Sequence, residues 1–230
     1  MSGDVVRPFR WDITQRSQLG SLPYVDLPET YAEFEDDLIE CSARLIAFAG
    51  DSDLVFVGRS PHAIFDFLSG VLLRTSWDNR LRLLNISLRW SRPTDDQLRA
   101  LYPYLTEVGL EPASLARRER PVALVDVVDT GETFGNLVEI IAAWADSENV
   151  EWRAVSRKLR IVGVTWREKT SPKTWRWQQH AAWVERLRLD EIKNVSAPLR
   201  FATFLAADAP KTSSSFHPDR WGREEAAVSA

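Results

Sequence analysis

Residues Val122 to Phe134 read VALVDVVDTGETF, and the order of apolar and polar residues within them decides the fold class. With the preceding Pro121, PVALVDVV is the most continuous β-branched run in the chain. A strand that is apolar at successive positions suits the middle of a parallel sheet covered on both faces. Its C-terminal end carries two carboxylates, Asp126 and Asp129. An Asp inside an apolar run is seldom without use, because burying a charge is costly. The turn that follows holds Thr130, Gly131, Glu132 and Thr133, and Phe134 to Ala145 has helical spacing. Backbone N–H groups at a helix start, two hydroxyls and a glycine that permits close approach make an anion cradle. Carboxylates beside such a cradle suit a sugar phosphate, which has hydroxyls at one end and phosphate at the other. The crevice at the C-terminal edge of the strands is where open α/β sheets bind ligands.

Working outward, the flanking segments supply the rest of an α/β domain. Tyr31, Phe34, Leu38, Cys41, Leu45 and Phe48 recur every three or four residues, an amphipathic helix closed by Gly50. Leu54 to Val57 is a short β-prone run, Gly58 to His62 (GRSPH) a turn, and Ala63 to Leu73 a second helix. Leu81 to Trp90 (LRLLNISLRW) alternates like a strand, and Asp95 to Arg120 is helix-prone but interrupted by Pro103 and Pro112. Leu159 to Trp166 gives one more strand. The alternation predicts a parallel sheet flanked by helices over residues 29–170. Residues 1–28 are expected to be an irregular arm. Residues 171–230, rich in Trp and Arg, are expected to be an extension or hood with a frayed end.

Composition narrows the functional classes. A chain of 230 residues with 44% hydrophobic and 27% charged residues buries a core without staples. The single Cys41 can form neither an internal disulfide nor a cysteine-based zinc site. The net charge of -4 gives no general pull toward nucleic acid or an anionic membrane, and no apolar run reaches membrane-spanning length. A reducing cytoplasm is the expected compartment. Tryptophan is the outlier: ten residues.

The segment VALVDVVDTGETF closely resembles the phosphoribosyl-pyrophosphate (PRPP) motif of the type I phosphoribosyltransferases. In that motif four apolar residues precede two acids, two more apolar residues and Asp/Glu-Thr-Gly-x-Thr. The resemblance implies that Asp126 contacts the ribose hydroxyls and that Asp129 handles the acceptor base or its proton. It implies that Thr130, Gly131, Glu132 and Thr133 wrap the 5′-phosphate. The first acid of the pair is Val125 here, so one ribose-facing carboxylate is missing. Upstream, Gly58, Arg59 and Ser60 stand where that family places its pyrophosphate loop, with Arg59 as the cation and Gly58 and Ser60 as backbone and hydroxyl donors. The implied activity is transfer of a phosphoribosyl group to a nitrogenous acceptor with release of pyrophosphate. Mg²⁺ would be held mainly through the substrate, with Asp126 as the candidate protein contact. The acceptor is not readable from the sequence; a homodimer is the family's common state, and neither membrane nor nucleic acid is an expected partner. The alternative is a non-catalytic member that senses PRPP or a nucleotide, or binds a partner.

Other features are weaker. Residues 91–119 lie where the family has a loop closing over the reacting centre, and Arg92, Arg99, Arg117, Arg118 and Arg120 could supply charge there; a solvated face is the default. His62 can donate to pyrophosphate or sit at a helix start, whereas His180 and His217 lack metal-ligand spacing. Trp166, Trp175, Trp177 and Trp183 interleave with basic residues. Core packing is the favoured reading of these four, with a base-stacking hood as its rival.

Overall fold

The computed structural model describes residues 29–88, 93–170, 176–187, 189 and 191–209. The expected N-terminal arm, Trp90, Arg92, Trp175, His217 and the end of the chain lie outside the described residues.

The chain runs α1 (Phe34–Ala49), β1 (Asp53–Val57), α2 (His62–Val71), β2 (Leu81–Leu84), α3 (Asp95–Glu107) and α4 (Pro112–Arg117). Then follow β3 (Val122–Val127), α5 (Glu132–Ser147), α6 (Trp152–Ser156), β4 (Leu159–Trp166), α7 (Trp177–His180) and α8 (Ala182–Arg186). It continues through β5 (Ile192–Ala197), α9 (Leu199–Thr203) and a π-helical turn, Phe204–Asp208. The five strands form one all-parallel sheet in the order β2-β1-β3-β4-β5. The chain therefore travels from β1 to β2 in one direction, then passes back over β1 to β3. With right-handed crossovers, a reversal of direction moves the connecting helices to the opposite face. Accordingly α1, α2 and α9 cover one face, with Leu45, Ile64 and Phe201 against Phe56, Ala123 and Val164. Helices α3 to α8 cover the other, with Leu105, Leu137 and Trp177 against Val55, Leu124 and Ile161. Neighbouring strand residues alternate between the two cores, as the two-residue period requires.

The central strand is as its composition demands: Val122, Ala123, Leu124 and Val125 are all buried. Gly50 closes α1 at φ 59, with its N–H on the Ile46 carbonyl. Three expectations are corrected. The strand expected over Leu81 to Trp90 ends at Leu84, because β1 ends too. Gly58 N–H closes the β1–β2 ladder with a bond to Leu84 O at 2.8 Å, and beyond it only Ile86 forms an isolated bridge. Pro103 does not break α3, which continues to Glu107. A full Thr94/Gln97 capping box starts that helix, and burial of Leu101, Tyr104 and Leu105 offsets the hydrogen bond a proline removes.

The third correction concerns the boundary at residue 170. The segment beyond it supplies β5, which pairs with β4 from Ile161↔Ile192 to Trp166↔Ala197 and completes the sheet. Trp177 and Trp183 are core residues, as the favoured packing reading has it, and form no hood.

Cys41 lies in the core under α1, and burial pushes its thiol up to about 12. It should therefore resist a thiol-reactive disulfide reagent at pH 8 in the native protein and react at once in denaturant. Fast native labelling would contradict that burial.

Candidate functional site

In a sheet of order 2-1-3-4-5 the chain reverses its direction of travel between β1 and β3, and the loops leaving these strands diverge to opposite faces. A cleft opens there. Phe56 pairs with Val125, so the two loops leave adjacent strands at nearly the same height. Between them lies a pocket of about 470 Å³. Gly58, Arg59 and Ser60 form one lip, and Asp129, Thr130, Gly131, Glu132 and Thr133 the other, with Asp126 between them. Every residue singled out from the two motifs thus lines one cavity.

The loops differ in how they are built. After β1 the backbone turns at Gly58, φ 77, a left-handed conformation that glycine adopts without steric penalty. A Cβ there would make only ordinary contacts, 3.6 Å from Ile86 O and 3.9 Å from Asp126 Oδ1, so the backbone conformation and not the space calls for glycine. The Gly58 N–H is committed to Leu84 and is not a ligand donor, contrary to the expectation for this residue. Arg59 is exposed on the lip and Ser60 is half-buried.

After β3 the chain passes through exposed Asp129 and Thr130 to buried Gly131, the N-cap of α5 at φ 83. The first turn of this sixteen-residue helix faces the pocket through Glu132, Thr133 and Phe134. Its free N–H groups and dipole favour an anion. Asp126 is 7% exposed and its Oδ1 accepts the Val127 N–H at 2.7 Å. Val125, where the resemblance would place an acid, is fully buried in the opposite core.

Residues that the motifs did not mark complete the site. Trp166, the last residue of β4, lines the pocket, with Lys169 Nζ 4.2 Å from its ring centroid. Lys169 also forms an ion pair with Asp129 and donates to the Asp129 carbonyl at 2.9 Å. Thr203, Ala206 and Ala207, from α9 and the π-helical turn, form the far wall. The signal for Lys169 was positional: in a parallel sheet, whatever follows any strand emerges at the same edge. The wall from α9 had no such signal, because β5 (IKNVSA) has only two buried residues and does not read as a strand.

Several candidates fall elsewhere. His62 is 5% exposed and its Nε2 bonds Asn85 Oδ1 at 2.6 Å, so it stands behind the lip and takes no part in the pocket lining. Arg118 pairs with Asp53, at the start of β1, and Arg117 ends α4 just before β3 begins. Both lie toward the N-terminal edge of the sheet, opposite the pocket. Arg99 pairs with Asp96 on the surface of α3. Helices α3 and α4 thus occupy the region where a closing loop was considered.

Among the described residues that line the pocket, Asp126, Asp129 and Glu132 are carboxylates and Arg59 is a cation. No group of three His, Cys, Asp or Glu residues that could hold a metal alone occurs among the described residues. Asp126 and Asp129 are carboxylates of the type Mg²⁺ takes as one or two protein contacts. No described helix is long and apolar enough to cross a membrane. No family model matches the chain, and neither the curated proteins nor the solved structures contain a significant match to it.

Proposed function

We propose that the chain is a phosphoribosyltransferase-like enzyme that binds PRPP with Mg²⁺ and transfers its phosphoribosyl group to a nitrogenous acceptor. One observation carries the reading: the Gly58–Ser60 loop and the Asp129–Thr133 loop, far apart in sequence, face each other across one pocket with Asp126 between them. The α5 N-terminus and the hydroxyls of Thr130 and Thr133 take the 5′-phosphate. Asp126 accepts hydrogen bonds from the ribose hydroxyls, and Arg59 with Ser60 takes the pyrophosphate. The bond between C1 and the pyrophosphate oxygen breaks, and its electron pair leaves with pyrophosphate. The acceptor nitrogen then donates its lone pair to the oxocarbenium-like C1 and gives up its proton, for which Asp129 is the candidate base. Mg²⁺, when bound, would offset the charge of the departing pyrophosphate, with Asp126 as its protein contact. Catalysis on this reading is mainly positioning and electrostatics.

Calorimetric titration with PRPP and Mg²⁺ tests the reading. Binding in the micromolar to millimolar range is expected, and Arg59→Ala should weaken it about tenfold, the scale of one charge-assisted contact. An absence of heat at millimolar PRPP overturns the proposal. A second reading, a PRPP-responsive protein without turnover, has one observation in its favour: Val125 leaves the site a single buried carboxylate. Pyrophosphate release on mixing PRPP with a panel of bases separates the two, since the sensor binds and releases none.

A further inference from the structure

We propose that Trp177, together with Trp183, is a positioning residue that holds the Asp129–Thr133 loop in its ligand-binding shape from behind. The inference rests on the reading of that loop as a 5′-phosphate site. The front of the loop is open, with Asp129, Thr130 and Glu132 exposed. Its back rests on indole. A Cβ on Gly131 would overlap the six-membered ring of Trp177, and one on Gly135, a turn further along α5, would lie 2.6 Å from Trp183 Nε1. The two indoles stack at 6.2 Å between centroids, 28° apart.

The assembly is anchored at its other end. Trp177 Nε1 donates to Asn194 Oδ1 on β5 at 2.7 Å, and Asn194 Nδ2 donates to Gln178 Oε1 at 3.2 Å. A third glycine, Gly163 in β4, makes room for it: a Cβ there would lie 2.9 Å from Asn194 Oδ1 and 3.4 Å from Trp177 Nε1. An ordinary core tryptophan fills space among large side chains. This one meets glycine on two different elements, which brings its ring against backbone, and one of those glycines is the left-handed N-cap of the phosphate loop. A loop so braced has little freedom to lose when ligand binds, which is how preorganisation raises affinity. The arrangement also assigns two of the excess tryptophans a task.

Two variants test this, Trp177→Phe, which withdraws ring atoms from Gly131, and Asn194→Leu, which leaves the indole unanchored. Thermal melts establish that each is folded, and the milder Asn194→Leu keeps the test decisive if Trp177→Phe does not fold. In the ligand-free protein, amide hydrogen exchange at Gly135, whose N–H bonds the Gly131 carbonyl at 3.0 Å, should quicken roughly tenfold or more, with β1 and β3 unchanged. Calorimetry with ribose 5-phosphate and with pyrophosphate, each with Mg²⁺, should show about tenfold weaker ribose 5-phosphate binding and pyrophosphate affinity within about twofold of wild type. Unchanged exchange at Gly135 overturns the proposal, as does an equal loss of both ligands, which a merely structural role would produce. Quickened exchange in a protein whose wild type binds neither ligand leaves the bracing intact and removes the phosphate reading instead.

Discussion

Replacing Asp126 with Asn should lower kcat/KM for pyrophosphate release from PRPP by about 10²- to 10³-fold while the protein stays folded. Asp126 is the only motif carboxylate carried within the sheet, 7% exposed and at the end of the central strand. Its Oδ1 already accepts the Val127 N–H, which fixes the group before ligand arrives. Asn keeps the shape and one acceptor but loses the charge that, on the proposed function, favours ribose hydroxyls and their accompanying cation. No neighbour substitutes for it, because Val125 points into the opposite core. Asp129→Asn should cost less, since Asp129 is half-exposed and shares its charge with Lys169. Steady-state kinetics and the thermal midpoint of each variant decide the matter. Turnover of Asp126→Asn within about threefold of wild type would remove Asp126 from the machinery.

Gly131→Ala should destabilise the protein by roughly 2–5 kcal/mol, combining a left-handed backbone at φ 83 with overpacking against Trp177. Against a typical domain stability of about 5–15 kcal/mol that is a large fraction. The thermal midpoint should fall by at least about 4 °C for a chain of this size. Gly70→Ala is the control: this glycine lies inside α2, has no positive φ, and meets nothing within 4 Å of an added Cβ. It should be neutral or stabilising by about 0.5–1 kcal/mol. If both variants melt together, the bracing of the loop by Trp177 is not what the packing suggests.

Much of the layered architecture was legible because it depends on local pattern. Residues 122–127 form a strand because every side chain to Val125 is apolar and both sheet faces are covered. Residues 34–49 form a helix because their apolar residues recur at helical spacing and Gly50 can turn left-handed. The loops of the candidate site were marked at strand ends, one by glycine, arginine and serine and the other by acids, threonines and glycine. Illegible were features that depend on a partner. β2 stops where β1 stops; β5 is a half-polar edge strand held by β4; and α3 survives Pro103 because its buried face outweighs one hydrogen bond.

The ten tryptophans show the same division. Trp144 stacks on Tyr102 at 4.2 Å, Trp77 lies under Arg80, and Trp152 donates to the Leu187 carbonyl. No spacing rule announces these pairs. The sequence alone determined an α/β chain with two glycine-containing turns at the ends of two apolar strands, because strand, helix and turn propensities are properties of neighbouring residues. Only the tertiary structure decided that β1 and β3 lie side by side, that Lys169 meets Asp129, and that Trp177 sits under Gly131 as a brace. Those facts follow from strand order and close packing, which bring together residues that no local period connects.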